Sequence, residues 1–247
     1  MNEVSYNANN DYSHLNGFYK RKHKGRLINI EGNDGAGKGT QLKQITDYIT
    51  SIGKSYKHIH FPMYGANEFS DVISAFLRGE YGSADEVDPL FVANIYAMDR
   101  YKYKIELLKH LDEYDYVVLD RYVFSNMAFQ GAKYEDDEKK QGIVKWIDDF
   151  EFKFLQLPYP DLIIYFDLPI DVIKERLESN RTGEDRDYLN GTADIHEQDL
   201  ELQSRVRDLY LGLVDFANYK IVKCINNKGE VLTPTDLFET YKNLISI

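Results

Sequence analysis

The chain has 247 residues, and its 41 acidic against 30 basic side chains give a net charge of −11. This length suits one large α/β domain, and the negative charge would repel a phosphate polymer, which argues against long nucleic acid as a partner. The single cysteine, Cys224, excludes an internal disulfide framework, and the sequence has neither an apolar signal core at its N-terminus nor a stretch of about 18 apolar residues. We therefore expect a soluble cytoplasmic protein without membrane contact.

The first 24 residues differ in character from the rest of the chain. They are rich in Asn, Ser, Tyr and charged side chains, they end in the basic run Lys20-Arg21-Lys22-His23-Lys24, and they show no sustained hydrophobic period. We interpret residues 1–24 as a flexible leader, with a basic docking arm as the alternative. Residues 25–247 are then a single domain.

From Arg26 onward, strand-like and helix-like segments alternate, which is typical of a parallel sheet with crossover helices. Asp88 and Pro89 mark the start of a long helix, and Gly53 and Gly79 are placed to end the two helices before it. The fold class is therefore α/β, and we expect ligands at the carboxyl ends of the strands. The predicted strands are 26–31, 55–60, 115–120, 161–167 and 220–225, and the predicted helices are 39–52, 68–78, 89–111, 138–155, 171–180, 195–217 and 235–246.

The end of the first predicted strand carries a glycine-rich loop. Residues from Gly32 to Lys38 fit the pattern Gly-x-x-x-x-Gly-Lys, in which backbone N–H groups cradle phosphate and the lysine reaches the outer phosphates. An ordinary glycine-rich turn is the alternative. Asp34 either caps this turn or contacts a ligand hydroxyl or a magnesium ion. We expect nucleotide phosphates to contact Gly32, Asn33, Asp34, Gly35, Ala36, Gly37, Lys38, Gly39 and Thr40.

Two further places carry residues suited to a nucleotide. Asp120 and Arg121 end an apolar strand, where Arg121 would fork onto a phosphate and Asp120 would orient a magnesium ion, directly or through water. A strand-end ion pair is the alternative there. On the long predicted helix, Tyr96 and Arg100 lie four residues apart and share one face, which suits a base-binding platform as well as simple core packing.

A charged and poorly periodic segment at about 178–193 is predicted to be a lid. It follows Arg176 and contains Arg181 and Arg186. Phosphoryl transfer needs positive charge over the phosphates and exclusion of water, and a mobile arginine-bearing lid supplies both. A solvated loop is the alternative, and the spacing does not tell which arginine enters the site.

Together these residues resemble the thymidylate kinases, a family of P-loop nucleoside monophosphate kinases. The resemblance implies transfer of the γ-phosphoryl group of ATP to the 5′-phosphate of dTMP, giving dTDP, with Mg²⁺. It also implies a P-loop kinase fold with a five-stranded parallel sheet, usually in a homodimer. The matching motifs run in the right order from about Arg26 to Cys224, and they are Glu31–Gln41, Phe61-Pro62, Asp99-Arg100, Asp120–Gln130 and Asp194–Glu197.

The resemblance also implies roles for single residues. Lys38 resembles the lysine on the donor phosphates. Asp34 resembles the acid beside the sugar hydroxyl and the acceptor phosphate, and Arg121 resembles the arginine that holds the acceptor phosphate. The remaining matches are Phe61 and Tyr96 as walls of the thymine site, Arg100 and Asn126 at the base, Phe129 near C2′ of the sugar, Tyr64, Ser125, Asp194 and Glu197 as further substrate contacts, and Asp120 and Thr40 as metal contacts.

Three positions depart from the family pattern. Gly39 lacks the hydroxyl that commonly touches magnesium, and Met63 stands where many relatives have arginine. Gly35 leaves the loop without the arginine that some relatives keep there, which shifts the catalytic positive charge to Arg181 or Arg186 in the lid. Two alternatives stay open. One is another nucleoside monophosphate kinase or a deoxynucleoside kinase, and the other is a nucleotide-binding regulatory protein without turnover.

Overall fold

A five-stranded sheet forms the centre of the computed structural model, which describes residues 23–178, 188–189, 191 and 194–246. All strand pairings are parallel, and the spatial order is β2-β3-β1-β4-β5. The parallel α/β sheet predicted from the sequence is therefore confirmed. The strands are β1 (Arg26–Glu31), β2 (Tyr56–His60), β3 (Tyr116–Asp120), β4 (Leu162–Asp167) and β5 (Tyr219–Lys223).

Helices cover both faces of this sheet. Short 3₁₀ turns at Leu213–Asp215 and Lys242–Leu244 follow the last two long helices. The α-helices are α1 (Lys38–Ser51), α2 (Glu68–Leu77), α3 (Pro89–Glu113), α4 (Val123–Gly131), α5 (Asp137–Asp148), α6 (Ile170–Glu178), α7 (Ile195–Gln198), α8 (Leu200–Gly212) and α9 (Pro234–Tyr241).

The core consists of two main hydrophobic clusters, one on each face of the sheet. Along β1, Leu27 packs in the same cluster as Leu107 and Phe124, whereas its neighbour Ile28 packs with Ile45 on the other face. This alternation follows from the two-residue period of a strand. Because both faces are covered, β1 and β4 are buried almost throughout, which explains why their sequences read as nearly continuous apolar runs.

The local helix signals in the sequence are confirmed. Asp88 Oδ1 accepts a hydrogen bond from the backbone N–H of Phe91 at 2.9 Å, and Pro89 is the first residue of α3. Gly53 and Gly79 follow the ends of α1 and α2 with positive φ values of +72° and +76°. Left-handed glycine at this position lets the chain leave a helix without steric cost.

Three helix predictions were wrong in detail. Helix α4 was not predicted, because almost every one of its side chains is buried and no amphipathic period marks it. The predicted helix 138–155 is α-helical only to Asp148 and continues as a π-helical turn, Asp149–Phe154. The predicted helix 195–217 is broken at Asp199, whose side chain instead accepts from the N–H of Leu202 and caps α8.

Parts of two predicted segments lie outside the described residues. These are residues 1–22, which form most of the predicted leader, and residues 179–187, 190, 192 and 193 of the predicted lid, which include Arg181 and Arg186. In the part of the chain that the structure describes, no helix combines the length and the apolar character needed to cross a membrane. Cys224 is a buried free thiol.

We predict that Gly25→Ala destabilises the fold by about 1–3 kcal/mol, the cost of overpacking a filled site. A Cβ at Gly25 would lie 2.3 Å from the carbonyl oxygen of Tyr114 and 2.8 Å from that of Leu111, and both neighbours are backbone. Gly142→Ala on α5 is the matched control, because nothing lies within 4 Å of its Cβ. The control should gain about 0.5–1 kcal/mol from better helix propensity. Urea unfolding measures both, and equal midpoints for Gly25→Ala and the parent would contradict the prediction.

Candidate active site

Most of the residues predicted for the site meet in one cleft at the carboxyl edge of the sheet. The cleft has a volume of about 760 Å³ and lies where β1, β2 and β3 end. Gly32, Asn33 and Ala36 are buried and do not line it. The predicted residues that line it are Asp34, Gly35, Gly37, Lys38, Gly39, Thr40, Phe61, Tyr64, Tyr96, Arg100, Asp120, Arg121, Ser125, Asn126, Phe129, Asp194 and Glu197.

The phosphate loop joins β1 to α1 through two left-handed glycines. Gly35 has φ +79° and Gly37 has φ +92°, so both positions favour glycine. Lys38 Nζ donates to the carbonyl oxygens of Gly32 and Asn33, each at 3.0 Å. Burial and the charge of Arg121 lower the pKa of Lys38, nearby carboxylates oppose both effects, and the net result is a pKa of about 8. The loop therefore places Lys38 at the N-terminus of α1, on the lining of the cleft.

Gln203 of α8 and Arg176 of α6 form hydrogen bonds that hold this loop in place. Asn33 is buried, and its Nδ2 donates to the carbonyl oxygen of Gln203 at 2.8 Å and to Gln203 Oε1 at 2.9 Å. Arg176, near the end of α6, donates through Nη1 to the carbonyl oxygen of Gly35 at 2.9 Å. The expected nucleotide contact of Asn33 is thus restricted to its backbone, because its side chain anchors the loop to α8. Sequence reasoning missed Gln203, since only the folded chain brings α8 to the loop.

An ion pair joins the phosphate loop to the end of β3. Arg121 Nη2 lies 2.5 Å from Asp34 Oδ1, and Gln203 Nε2 donates to Asp34 Oδ2 at 3.0 Å. Burial alone would raise the pKa of Asp34, but the charges of Arg121 and Lys38 outweigh it and hold that pKa well below its usual range. Asp34 is therefore ionised at neutral pH.

The guanidinium of Arg121 is held from three sides. Its backbone has φ +65°, a left-handed conformation that is uncommon for a residue other than glycine. Nη1 donates to Ser125 Oγ at 3.1 Å, and the guanidinium carbon lies 5.3 Å from the centre of the Phe129 ring. Together with Asp34, these contacts fix a forked cation on the cleft wall.

A buried acid supports this wall from below. Glu31 is fully buried at the end of β1, and its carboxylate accepts from the N–H of Tyr122 at 2.9 Å, from Ser125 Oγ at 2.5 Å and from the Tyr210 hydroxyl at 2.9 Å. Ser125 thus connects Glu31 to Arg121. The sequence signal for Glu31 is an acid directly after the apolar run Leu27–Ile30, which by itself indicates only the first residue of the loop motif.

A second buried acid lies at the opposite end of the cleft. Glu151 binds Arg100 through two hydrogen bonds, Nε to Oε2 at 2.5 Å and Nη2 to Oε1 at 2.6 Å. Asn126 Nδ2 donates to Glu151 Oε1 at 2.9 Å and to the carbonyl oxygen of Ala93 at 3.0 Å. Asn126 Oδ1 is buried and has no hydrogen-bond partner among the described residues. Asn126 Oδ1 is therefore an unpaired buried acceptor on a residue that lines the cleft together with Arg100.

Aromatic rings and the carboxyl group of Asp194 line a further part of the cleft. The rings of Tyr64 and Tyr188 stack with centres 3.9 Å apart and planes 2° from parallel, and the Tyr188 hydroxyl donates to Asp194 Oδ2 at 2.7 Å. Burial raises the pKa of Asp194 to about 7, helped by the charge of Asp34. The His196 ring stacks on Phe129 with centres 5.0 Å apart, and burial lowers its pKa to about 3.

A glycine-rich phosphate loop after the first strand of a parallel sheet, with an acid-arginine pair at the end of the adjoining strand, defines a P-loop kinase. The sequence model of one kinase family, described as Thymidylate kinase, matches residues 30–233. The chain belongs to the thymidylate kinase family, and it is a nucleoside monophosphate kinase.

Individual relatives agree with this assignment. The chain is 33% identical over 188 residues to the thymidylate kinase of Mycobacterium tuberculosis (strain H37Rv), covering 76% of this chain and 85% of the relative. It is 31% identical over 201 residues to the thymidylate kinase of Limosilactobacillus fermentum, covering 81% and 86%. The solved thymidylate kinase of Candida albicans shares the fold with a TM-score of 0.64 at 21% identity, over 91% of this chain and 94% of that one.

We predict that Asp194→Asn changes how stability depends on pH. The carboxyl of Asp194 keeps its proton to about pH 7 in the folded chain, whereas its ordinary pKa of 3.8 applies in the unfolded chain. Between these values the folded state binds more protons than the unfolded state, so this group's contribution to stability falls as pH rises. The free energy of unfolding of Asp194→Asn, relative to the parent, should therefore rise from pH 4 to pH 7, by at most about 4 kcal/mol.

Urea unfolding at several pH values measures this difference. Because the two proteins share the other titrating groups, their difference isolates Asp194. A difference that stays flat, or that falls with rising pH, would contradict the prediction.

Proposed function

We propose that this chain transfers the γ-phosphoryl group of ATP to the 5′-phosphate of dTMP, giving dTDP. The observation that carries the proposal is the position of Arg121. Its guanidinium binds Asp34 of the phosphate loop and covers the Phe129 ring, in one cleft that also contains Phe61 and Tyr96. A forked cation at this point suits an acceptor phosphate that faces the donor phosphates. The family membership of the chain supports dTMP as the acceptor.

The chemistry requires positioning and charge stabilisation more than proton transfer. The acceptor is already a phosphate oxygen, so no general base is needed. Lys38 and the N-terminal end of α1 would bind the donor phosphates, and Arg121 would hold the acceptor phosphate in line. Arg181 and Arg186 are proposed to add positive charge from the lid. Of the arginines near that segment, Arg176 lies among the described residues and contacts the loop at Gly35.

The residues at the loop fit a magnesium ion that is bound together with the nucleotide. Asp120 Oδ1 is buried and has no hydrogen-bond partner among the described residues, and Asp120, Gly39 and Thr40 line the same cleft. Within that part of the chain, no group of three or more His, Cys, Asp or Glu side chains could hold a metal alone. Asp120 and Thr40 would therefore share the ion with phosphate oxygens and water. When bound, magnesium neutralises negative charge on the phosphates.

The other end of the cleft is proposed to bind the base. Phe61 and Tyr96 would form walls for a flat ring, while Arg100 and the unpaired Oδ1 of Asn126 would meet its polar edge. Thymine offers an N3–H donor beside the O4 acceptor, which complements an amide oxygen beside a guanidinium. Phe129 would lie against the sugar. Tyr64, Ser125, Asp194 and Glu197 are proposed as further substrate contacts, and Asp34 as the contact to the sugar hydroxyl and acceptor phosphate.

We predict that the chain phosphorylates dTMP in preference to AMP, CMP, UMP and deoxythymidine, and that Lys38→Met lowers kcat at least about 100-fold. Lys43→Met is the matched control, since Lys43 lies on the same helix and forms an exposed pair with Asp47. A coupled assay with ATP and Mg²⁺ measures all three proteins. Greater activity with another monophosphate or with deoxythymidine would reject the dTMP assignment, and nucleotide binding without turnover would reject the enzyme.

The homodimer implied by the resemblance is proposed to form through an exposed face of α3. Phe91, Met98 and Ile105 are spaced by seven residues and therefore share one side of the helix. Ile105 is 81% exposed, and Phe154, from the π-helical turn, is 75% exposed. Exposed apolar patches of this kind mark protein interfaces.

Neither a nucleic-acid polymer nor a membrane is proposed as a partner, and the cytoplasmic location stays a prediction.

We predict that Ile105→Glu converts a dimer into a monomer at micromolar concentration, because two carboxylates would be buried without partners. Ile52→Glu is the control, since Ile52 is also exposed but lies at the end of α1, away from α3. Sedimentation velocity reports the change. A monomeric parent, or a dimer that Ile105→Glu leaves intact, would contradict this interface.

A further inference from the structure

Glu151 is an unusual residue in this chain, because it is a fully buried acid in an aromatic segment. It lies in the π-helical turn between α5 and β4, where its neighbours in sequence are Phe150 and Phe152. Such turns occur frequently at functional sites. Its pairing with Arg100 is also almost completely buried, with 2% of Arg100 exposed. A buried ion pair is seldom more stable than apolar side chains of the same size, so stability alone does not account for this one.

The hydrogen bonds of Asn126 show what Glu151 does in the cleft. A primary amide has two N–H donors and one carbonyl acceptor. Both donors of Asn126 are used, one on the carbonyl oxygen of Ala93 and one on Glu151 Oε1. A flipped amide would place Oδ1 against these two acceptors, which is unfavourable because none of them can donate. Because the Glu151 carboxyl group and the Ala93 carbonyl group occupy both amide donors, the amide oxygen is the atom that remains for a ligand.

Glu151 fixes Arg100 in the same way. Two of the five N–H groups of the guanidinium bind the carboxylate, and three remain for other partners. The carboxylate also balances the charge of Arg100, so this end of the cleft has no net charge from the pair. The other end contains Lys38 and Arg121, which suit phosphates. The neutralised charge of Arg100, paired with Glu151, suits an uncharged base.

We propose that Glu151 is a positioning residue that sets the hydrogen-bond polarity of the base site and thereby excludes cytosine-type bases. The inference rests on the proposed function, since it concerns the base of the acceptor nucleotide. With Oδ1 of Asn126 fixed toward the ligand, a base with a donor at N3 forms a hydrogen bond. A cytosine-type base has an acceptor lone pair at N3 and a donor amino group at C4. Its N3 would then face the acceptor Oδ1 of Asn126, and its amino group would face the donors of Arg100, so neither pair can form a hydrogen bond.

The test compares dTMP with 5-methyl-dCMP, because these two nucleotides differ only at the N3 and C4 edge of the base. The readout is the ratio of their kcat/KM values in the parent and in Glu151→Gln. Glutamine has nearly the same shape, but one of its two terminal atoms is an NH2 donor. That donor must face either Arg100 Nε, which binds Oε2, or Arg100 Nη2 and Asn126 Nδ2, which share Oε1, so at least one of the two residues loses its fixed orientation. We expect the ratio to fall at least about tenfold, the factor expected when a buried polar atom can face the wrong partner.

Two further variants separate positioning from folding. Asp167→Asn is the matched control, because Arg207 binds Asp167 through two hydrogen bonds, at 2.7 and 3.2 Å, and neither residue lines the cleft. It should leave the ratio unchanged. Glu151→Asp keeps a group that only accepts, so it should keep the ratio within about threefold of the parent even where both kcat/KM values fall. This second variant decides the matter if Glu151→Gln shows no cooperative unfolding transition.

The outcomes are distinguishable. A parent that does not use dTMP overturns the proposed function. A parent that uses dTMP but shows the same ratio in Glu151→Gln overturns the inference alone. A ratio that collapses in Asp167→Asn or in Glu151→Asp assigns the effect to general loss of structure and also overturns it.

Discussion

The parallel pairing of β1 with β3 is the constraint on which the site depends. Its register places Ile30 opposite Asp120, so the residues that follow the two strands leave the sheet side by side. The phosphate loop and Arg121 are thereby brought close enough for the ion pair with Asp34. Glu31 strengthens the same junction, because it is the last residue of β1 and binds the first turn of α4. This register thus determines where the phosphate loop meets Arg121, the residue proposed to bind the acceptor phosphate.

The two ends of the cleft differ in charge because their buried acids have different partners. At the loop, Asp34 is surrounded by Arg121 and Lys38, and these cations lower its pKa enough to keep it ionised despite burial. At the end of the cleft proposed to bind the base, Glu151 neutralises Arg100 in a closed pair. The first arrangement places two cationic side chains, Lys38 and Arg121, where phosphates would bind, whereas the second leaves oriented hydrogen-bond groups without net charge from the pair. A nucleotide, with an anionic end and an uncharged ring, is complementary to that division.

The sequence predicted well whatever depends on near neighbours. Asp88 and Gly53 act within one turn of the helices that they begin or end, and the phosphate loop needs only the strand and helix that flank it. Prediction failed where the cause is distant in sequence. Helix α4 was missed because it is buried on all sides, and Glu151 was missed because its partners, Arg100 and Asn126, come from two other helices. The same holds for Gln203, which reaches Asp34 only in the folded chain.

Buried polar residues behind the cleft orient the groups that face it. Glu31 holds Ser125, Glu151 holds Asn126, and Asp99 accepts from the N–H of Met63 at 2.9 Å and from Asn67 Nδ2 at 2.7 Å, which fixes the turn after β2. Asp99 and Arg100 are adjacent in sequence, yet Asp99 holds this turn and Arg100 belongs to the proposed base site. Each of these acids already accepts hydrogen bonds from groups of the protein, so none depends on the ligand for a hydrogen-bond partner. The ligand therefore meets groups whose orientation is set before it binds, which reduces the entropic cost of binding.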